Sequence, residues 1–277
     1  MSHHHGATAS WALSLLITLF CAVVELAYFR GWMRLRSSNE TISLARASSF
    51  FGGIVLIWIA LASSLAVLDH ELLTAHMIQH LLLMTLAPPL IWLGEPVLVF
   101  SRVRVGGAGA RPPMPRLAQA LTRPAFALFA ASAVLVGWHV PTLFAFGMKS
   151  AAWHMVEQAS FLTTGLLFWW PVVQPWPSVA GRELSLILYL FLATLPCDIL
   201  SGFLVFCDRV VYREYSLSSN PFGFSALGDQ QCAAALLWTC VTIVYLVAGA
   251  VLTMHMLSPE SQHSPKTSLI RQRAEIW

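Results

Sequence analysis

Charge is nearly missing from this chain. Asp, Glu, Lys and Arg supply 10% of its 277 residues, against about 25% in a soluble globular domain, and 57% of the residues are hydrophobic. A soluble globular domain is excluded on that ground. Cysteine is sparse as well. The five cysteines (Cys21, Cys197, Cys207, Cys232 and Cys240) show no CxxC spacing, which argues against a disulfide framework and a zinc motif alike. No glycine-rich phosphate loop and no nucleophile motif is present, so the chain is not read as an enzyme. Nothing points to a nucleic-acid partner, and no internal repeat stands out. The formal charge of +3 carries little, because the placement of charges along a membrane chain matters more than their sum.

Long apolar runs are what the chain has instead. A run of roughly 18 or more apolar residues is long enough to cross a bilayer. A crossing segment must satisfy its backbone internally, which makes helices the expected element. Seven spans are predicted: Trp11–Phe29, Ser48–Leu68, Leu72–Leu93, Pro124–Phe146, Ala151–Val173, Leu184–Phe206 and Asp229–Met256. The expected fold class is an all-α membrane protein with seven transmembrane helices, its membrane domain covering residues 11–256. Residues 1–10, which include His3, His4 and His5, are set aside as a tag remnant or a disordered tail, and residues 257–277 as a cytoplasmic tail. Arg102–Arg123 contains "RVRVGGAGARPPMPR" and reads as an exposed cytoplasmic loop between a three-helix half and a four-helix half.

Lys and Arg set the expected orientation. With seven spans, thirteen of the sixteen fall on one side: Arg30, Arg34, Arg36, Arg46, Arg102, Arg104, Arg111, Arg116, Arg123, Arg182, Lys266, Arg271 and Arg273. Lys149, Arg209 and Arg213 fall on the other. That split puts the N-terminus outside and the C-terminus in the cytoplasm.

The polar residues of the spans then collect at one depth. "HMIQHLLLMTLAPP" begins at His76. At about 1.5 Å per helical residue, His76 and His80 lie roughly 6 to 12 Å below the outer surface. His139 lies near the outer end of span four, and His154, Glu157 and Gln158 lie in the first turns of span five. Cys197 and Asp198 lie near the outer end of span six, and Asp229, Gln230, Gln231 and Cys232 open span seven. His76 and His80 are four apart, so both rings project from one helix face. Imidazoles converging with carboxylates nearby form a metal-ligand constellation. The bland counterpart is a layer of interhelical hydrogen bonds worth about 0.6 kcal/mol each. His70, in the outer loop, reads as solvated, His255 as interfacial and His263 as a tail residue. Met77, Met84, Met148 and Met155 read as core fillers. Pro88 and Pro89 remove two backbone donors and should kink or break span three. At the tail, a free amine followed by X-His wraps Cu(II) in a square-planar nitrogen site.

"HMIQHLLLMTLAPPLIWLGEP", "GWHVPTLF", "WHMVEQASFLTTGLLFWWPVV", "DILSGF" and "LGDQQCAAALLW" together resemble the multi-spanning CtaG family of cytochrome c oxidase assembly factors. This is the seven-helix type, not the single-span copper chaperone of the same name. The resemblance runs from about Trp11 to Met256. It implies a multi-pass bacterial inner-membrane protein that helps mature a haem-copper oxidase at the copper-insertion stage. Its partners would be an oxidase subunit and the lipid bilayer. The positions it marks are His76, His80, His139, His154, Asp198 and Asp229. One position departs: the family pattern resembles H-x-x-E-H at the start of span five, and here "HMVEQ" puts Gln158 where a histidine is expected.

The reading that results is an assembly factor with a copper site open to the outer side. His76 and His80 would be primary ligands, completed by His139 and His154, with Asp198 and Asp229 orienting the rings. Cys197 and Cys232 are further soft donors. Three rivals stand beside it. A haem-binding electron carrier would use histidines as axial ligands, although two histidines four apart on one helix cannot ligate opposite faces of one iron. A copper or proton permease would need polar residues along a full path. A purely structural helper would dock on the oxidase without using its histidines.

Overall fold

The computed structural model describes residues 3–37, 42–104, 115–173, 183–216 and 222–257, and every regular element among them is helical. The chain runs α1 (His3–Ser37), α2 (Leu44–Ala62), α3 (Leu65–Leu68), α4 (Leu73–His80), a π-helical segment (Leu81–Leu86), α5 (Ala87–Leu93), α6 (Pro96–Arg104) and α7 (Arg116–Leu121). It continues with α8 (Pro124–Trp138), α9 (Pro141–Lys149), α10 (Ala151–Val173), α11 (Glu183–Phe206), a short 3₁₀ turn (Arg213–Ser216) and α12 (Ala226–Leu257). The predicted 102–123 loop is partly helical at both ends, and residues 105–114 of it lie outside the described residues. The tail from residue 258 does as well.

Among the described residues, five helices are long and apolar enough to cross a bilayer: Trp11–Arg36, Leu44–Leu68, Leu73–Leu93, Leu184–Phe206 and Ala226–Met254. The predicted fourth span is not one straight helix. It breaks into α8 and α9, bent by 76°, and counts as a sixth crossing if the pair is taken together. Pro141 is the physical reason. It starts α9, and the residue before a proline is pushed out of the helical region. Val140 is accordingly extended, at φ −66° and ψ 123°. The predicted fifth span is α10 with the expected bounds, but it is less apolar than the five. It carries His154, Glu157, Gln158, Ser160, Thr163 and Thr164 in its first two-thirds.

The exposed faces are oily. Leu15, Leu19 and Phe20 on α1, Leu188, Phe191 and Ile199 on α11, and Ile243, Leu246 and Val247 on α12 are all exposed. On a soluble protein such faces would form patches far beyond the usual few hundred Å²; they suit contact with lipid. The run from α4 through α5 differs. Two-thirds of its apolar window is buried, against one-third or less for the other four crossing helices. It is the central strut of the bundle, packed by α2, α10 and α12.

Two glycines let the neighbours press against this strut. A Cβ on Gly165 of α10 would lie 2.8 Å from both the Cα and the carbonyl oxygen of Met84, and a Cβ on Gly53 of α2 would lie 2.7 Å from Ile91 Cγ1. The strut itself survives Pro88 by a change of winding. Pro88 has no N–H to give the Met84 carbonyl four residues back. Ala87 N–H reaches five residues back to the Leu82 carbonyl, and the Trp169 indole of α10 donates to Met84 O at 3.1 Å. The expected kink is thus a π segment whose freed acceptor is satisfied from another helix.

The start of α4 is held from the far end of the chain. Leu72, at the N-cap position, supplies no side-chain acceptor. Asp229 of α12 takes that role: Oδ2 accepts from Leu73 N–H at 2.7 Å, and Oδ1 accepts from Thr74 N–H at 3.1 Å and from the Thr74 hydroxyl at 2.6 Å. Gln230 ties the segment before α12 in the same way, accepting from Val211 N–H at 2.7 Å and donating to the Arg209 carbonyl at 3.2 Å.

Two measurements check this packing. Gly165→Ala should lower stability by about 1–3 kcal/mol in thermal unfolding of the detergent-solubilised protein, whereas Gly137→Ala, whose Cβ would meet nothing within 4 Å, should not. Asp229→Ala should cost about 2 kcal/mol by loss of the cap, and Asp229→Asn, which keeps an acceptor, should cost less.

Candidate metal centre

The centre is built where α4 and α10 cross. Because α4 presents positions four apart on one face, His76 and His80 both turn toward α10, their ring centroids 4.3 Å apart. From α10, Glu157 reaches between them. Glu157 Oε1 stands 3.4 Å from His76 Nε2 and 3.4 Å from His80 Nε2. His154, one turn earlier, brings Nδ1 to 3.5 Å from Glu157 Oε2 and Nε2 to 2.9 Å from Asp69 Oδ2. The cluster is walled by rings: Phe161 stacks on His80 at 3.9 Å, and Phe144 meets His76 edge-on at 5.2 Å.

Burial here is nearly complete. His76, His80, Glu157 and Asp69 are each 3% exposed or less. A carboxylate that deep needs a compensating charge. Among the described residues, the ionic partners of Glu157 are His76, His80 and His154. Hydrogen bonding does not satisfy the group. Both ring nitrogens of His76, both of His80, His154 Nδ1, Glu157 Oε1 and Asp69 Oδ1 are buried with no hydrogen-bond partner. Native interiors leave few such atoms, and here seven fall in one spot.

The spacing fits an ion better than a hydrogen bond. At 3.4 Å, the two His–Glu157 contacts are longer than the usual 2.7–3.2 Å range. A tetrahedral ion with bonds of about 2.0–2.1 Å would hold its ligand atoms about 3.3–3.4 Å apart. His76, His80 and Glu157 each offer a ligand atom within 4.8 Å of the others. Two imidazoles and a carboxylate suit a borderline transition-metal ion.

The remaining marked residues divide. The His139 ring lies 6.0 Å from that of His80, but its Nδ1 donates to the Leu135 carbonyl at 2.7 Å. That bond fixes the tautomer of the neutral ring and leaves the Nε2 lone pair facing Met77 Sδ at 3.3 Å. His139 therefore places a ring nitrogen against the thioether of Met77, which also packs in the core with Leu73 and Phe144 as expected. Asp229 caps α4 and does not face the histidines. Asp198 is half-buried and does not join them. Cys197 is buried with Ser201 Oγ at 3.9 Å, and Cys232 is exposed. The side chains of His3, His4, His5 and His255, and all of His263, lie outside the described residues.

Gln158, at the position where a histidine is expected, works as a strap. Gln79 Nε2 donates to the Ala60 carbonyl at 3.0 Å, so its Oε1 faces Gln158 and accepts from Gln158 Nε2 at 2.8 Å. The amide chain links α2, α4 and α10 behind the histidines. Two residues escaped sequence reasoning as site members. Glu157 was visible in the polar layer but was not among the marked ligands. Asp69 is a loop acid with Glu71 two residues on; its one signal is adjacency to His70 a few residues before the His76–His80 pair. Asp69 is carried into the bundle because its carbonyl accepts from Tyr215 Oη at 2.6 Å. Past His80 the packing turns apolar, with Leu81, Met84, Leu135, Phe161, Phe168 and Leu237 among the residues lining the next cavity.

Residues 26–258 match the family described as cytochrome c oxidase caa3 assembly factor (Caa3_CtaG). An uncharacterised protein of Mycobacterium leprae is 23% identical over 93% of this chain and 42% of its own length. Uncharacterised proteins of Mycobacterium bovis and Mycobacterium tuberculosis are each 24% identical over 88% of this chain and 39% of their own length. The chain thus spans about two-fifths of the curated relatives it matches. No solved structure matches. With the family model covering well over half of the chain, the protein belongs to the cytochrome c oxidase caa3 assembly factor family.

Proposed function

We propose that this protein holds a copper ion transiently at His76, His80 and Glu157, for insertion into a haem-copper oxidase subunit. The single observation that supports the reading most is the buried Glu157 carboxylate, ringed by imidazoles whose nitrogens have no hydrogen-bond partner. A bound cation would neutralise the carboxylate and give those lone pairs a partner in one step. His154 and the His139–Met77 pair stand close enough to complete or receive the ligand set, and Met adds the softness that Cu(I) favours. An ion held by few ligands and flanked by alternative donors is easily passed on, which suits a carrier better than a permanent structural site.

The seven-span reading belongs to the same proposal. α10 would be the remaining crossing helix, tolerated in spite of its polar residues because those face α4 and not lipid. The bundle would lie in a bacterial inner membrane, N-terminus outside, with the metal centre in the outer half. The apolar packing past His80 disfavours a permease, which needs a polar path on both sides of its site.

The test is metal analysis of the purified protein. Purified protein should carry copper, and the ion at this centre should be lost in a His76→Ala, His80→Ala double variant and in Glu157→Ala; unchanged copper in both would remove the site. Cells lacking the protein should fail to mature the oxidase, and the double variant should not rescue them. For orientation, a single cysteine at Lys149 in a cysteine-free background should react with an impermeant maleimide added to intact cells or spheroplasts. One at Arg123 should react only after permeabilisation. The reverse pattern would invert the topology.

A further inference from the structure

A second ligand group stands between the buried centre and water. Asp69, His70 and His154 each place a ligand atom within 4.8 Å of the other two. His70 Nε2 is 3.8 Å from Asp69 Oδ1, and His154 Nε2 is 2.9 Å from Asp69 Oδ2. The His70 and His154 rings are 5.2 Å apart. Asp69 Oδ1, which faces His70, is buried with no hydrogen-bond partner, and the Asp69 side chain is 1% exposed.

His154 Nε2 faces two groups that ask opposite things of it. It faces Asp69 Oδ2 at 2.9 Å, where an N–H is wanted, and the Gln158 amide nitrogen at 3.1 Å, where a lone pair is wanted. Turning the Gln158 amide over would set its oxygen against Gln79 Oε1, whose orientation the Ala60 carbonyl fixes. A single ring nitrogen cannot donate and accept at once. A metal ion on the Asp69 side would take the nitrogen lone pair and the carboxylate together, in place of a proton between them, and would leave the Gln158 amide its bond to Gln79. A separation of 2.9 Å is about that of neighbouring ligands at right angles with bonds of about 2.0–2.1 Å.

Exposure falls step by step along the line. The side chains are 52% exposed at His70, 13% at His154 and 3% or less at His76, His80 and Glu157. His154 belongs to both groups, with Nε2 toward Asp69 and Nδ1 toward Glu157.

We infer that Asp69, His70 and His154 form a second, outer site for a transition-metal ion, the port through which the ion passes between water and the buried His76–His80–Glu157 centre. The inference rests on the metal-holding reading of that centre. The donor set, two imidazoles and one carboxylate, takes Cu(II) or Zn(II). His154 is the shared ligand: as an ion passes from its Nε2 to its Nδ1, the ring proton leaves Nδ1 and returns to Nε2, where it faces the Asp69 carboxylate, and no group changes oxidation state.

The experiment uses the full chain in detergent with His3, His4 and His5 replaced by Ala in every protein, so that the tail adds no binding. Cu(II) bound at equilibrium is counted by dialysis, and its release to a chelator is timed. The parent should hold two ions, His70→Ala one, and the His76→Ala, His80→Ala variant one. Asp69→Asn should weaken the outer ion about 10- to 100-fold. In His70→Ala, filling and release of the inner ion should both slow by about an order of magnitude, with its affinity little changed. His70 is half-exposed, so its loss should leave the fold intact, and a circular dichroism melt verifies this. If His70→Ala keeps both ions and the parent's exchange rates, the outer site is overturned while the buried centre stands. If the parent holds one ion, lost in the His76→Ala, His80→Ala variant and exchanged independently of His70, the outcome is the same. A parent that binds no ion overturns both.

Discussion

Glu157 sits in an apolar bundle with only imidazoles for ionic partners among the described residues, and the rest of the centre is arranged around that constraint. An ionised carboxylate buried alone is costly enough that proteins pair it, coordinate it or keep it neutral. Here two histidines from α4 and one from α10 close on it from three sides. Neutral imidazoles bring lone pairs as readily as protons, and on the proposed reading a cation satisfies the lone pairs and the carboxylate together. The contact lengths, too long for hydrogen bonds and matched to the edges of a coordination polyhedron, point the same way.

Much of the surrounding architecture holds these side chains still. Asp229 caps α4 from the far end of the chain, Tyr215 holds the Asp69 backbone, and the Tyr212 hydroxyl donates to the His139 carbonyl at 3.1 Å. The Gln79–Gln158 chain locks α4 to α10 one layer behind the histidines, and glycines at Gly53 and Gly165 bring both neighbours against the central strut. Rigid supports of this kind set the precision of a ligand site, since ligands wander when the residues behind them do. The π segment just after His80 adds a local weakness on the other side, a common feature of functional helices. The family assignment gives the site a setting. On the proposed function, a protein that passes copper onward would have reason to keep donors at graded depths, with a thioether beside an imidazole and an exposed histidine at the mouth.

A good part of this was legible along the chain. The scarcity of charge against the length of the apolar runs decided a helical membrane protein, because a backbone in lipid has few other solutions. The four-residue spacing of His76 and His80 decided that both rings share one face. The motifs decided the family. Helical rise, with the expected order and direction of the spans, grouped His76, His80, His139, His154 and Glu157 into one expected layer before any fold was known.

What only the tertiary structure decided is which members of that layer meet. Depth is a one-dimensional coordinate, whereas coordination depends on the rotation of each helix about its axis, and packing sets that rotation. Rotation turned Asp229 toward the α4 N-terminus, kept Asp198 out of the cluster and brought Met77 to His139. Asp69 was illegible for a different reason: a loop acid has no periodicity to read, and the groups that meet it, the Tyr215 hydroxyl on its carbonyl and His154 on its carboxylate, lie far along the chain. The break at His139 lay in between, since Pro141 announced it but the 76° bend needed neighbours to hold it. Local chemistry thus determined the elements, and contacts between residues far apart in the chain determined the centre.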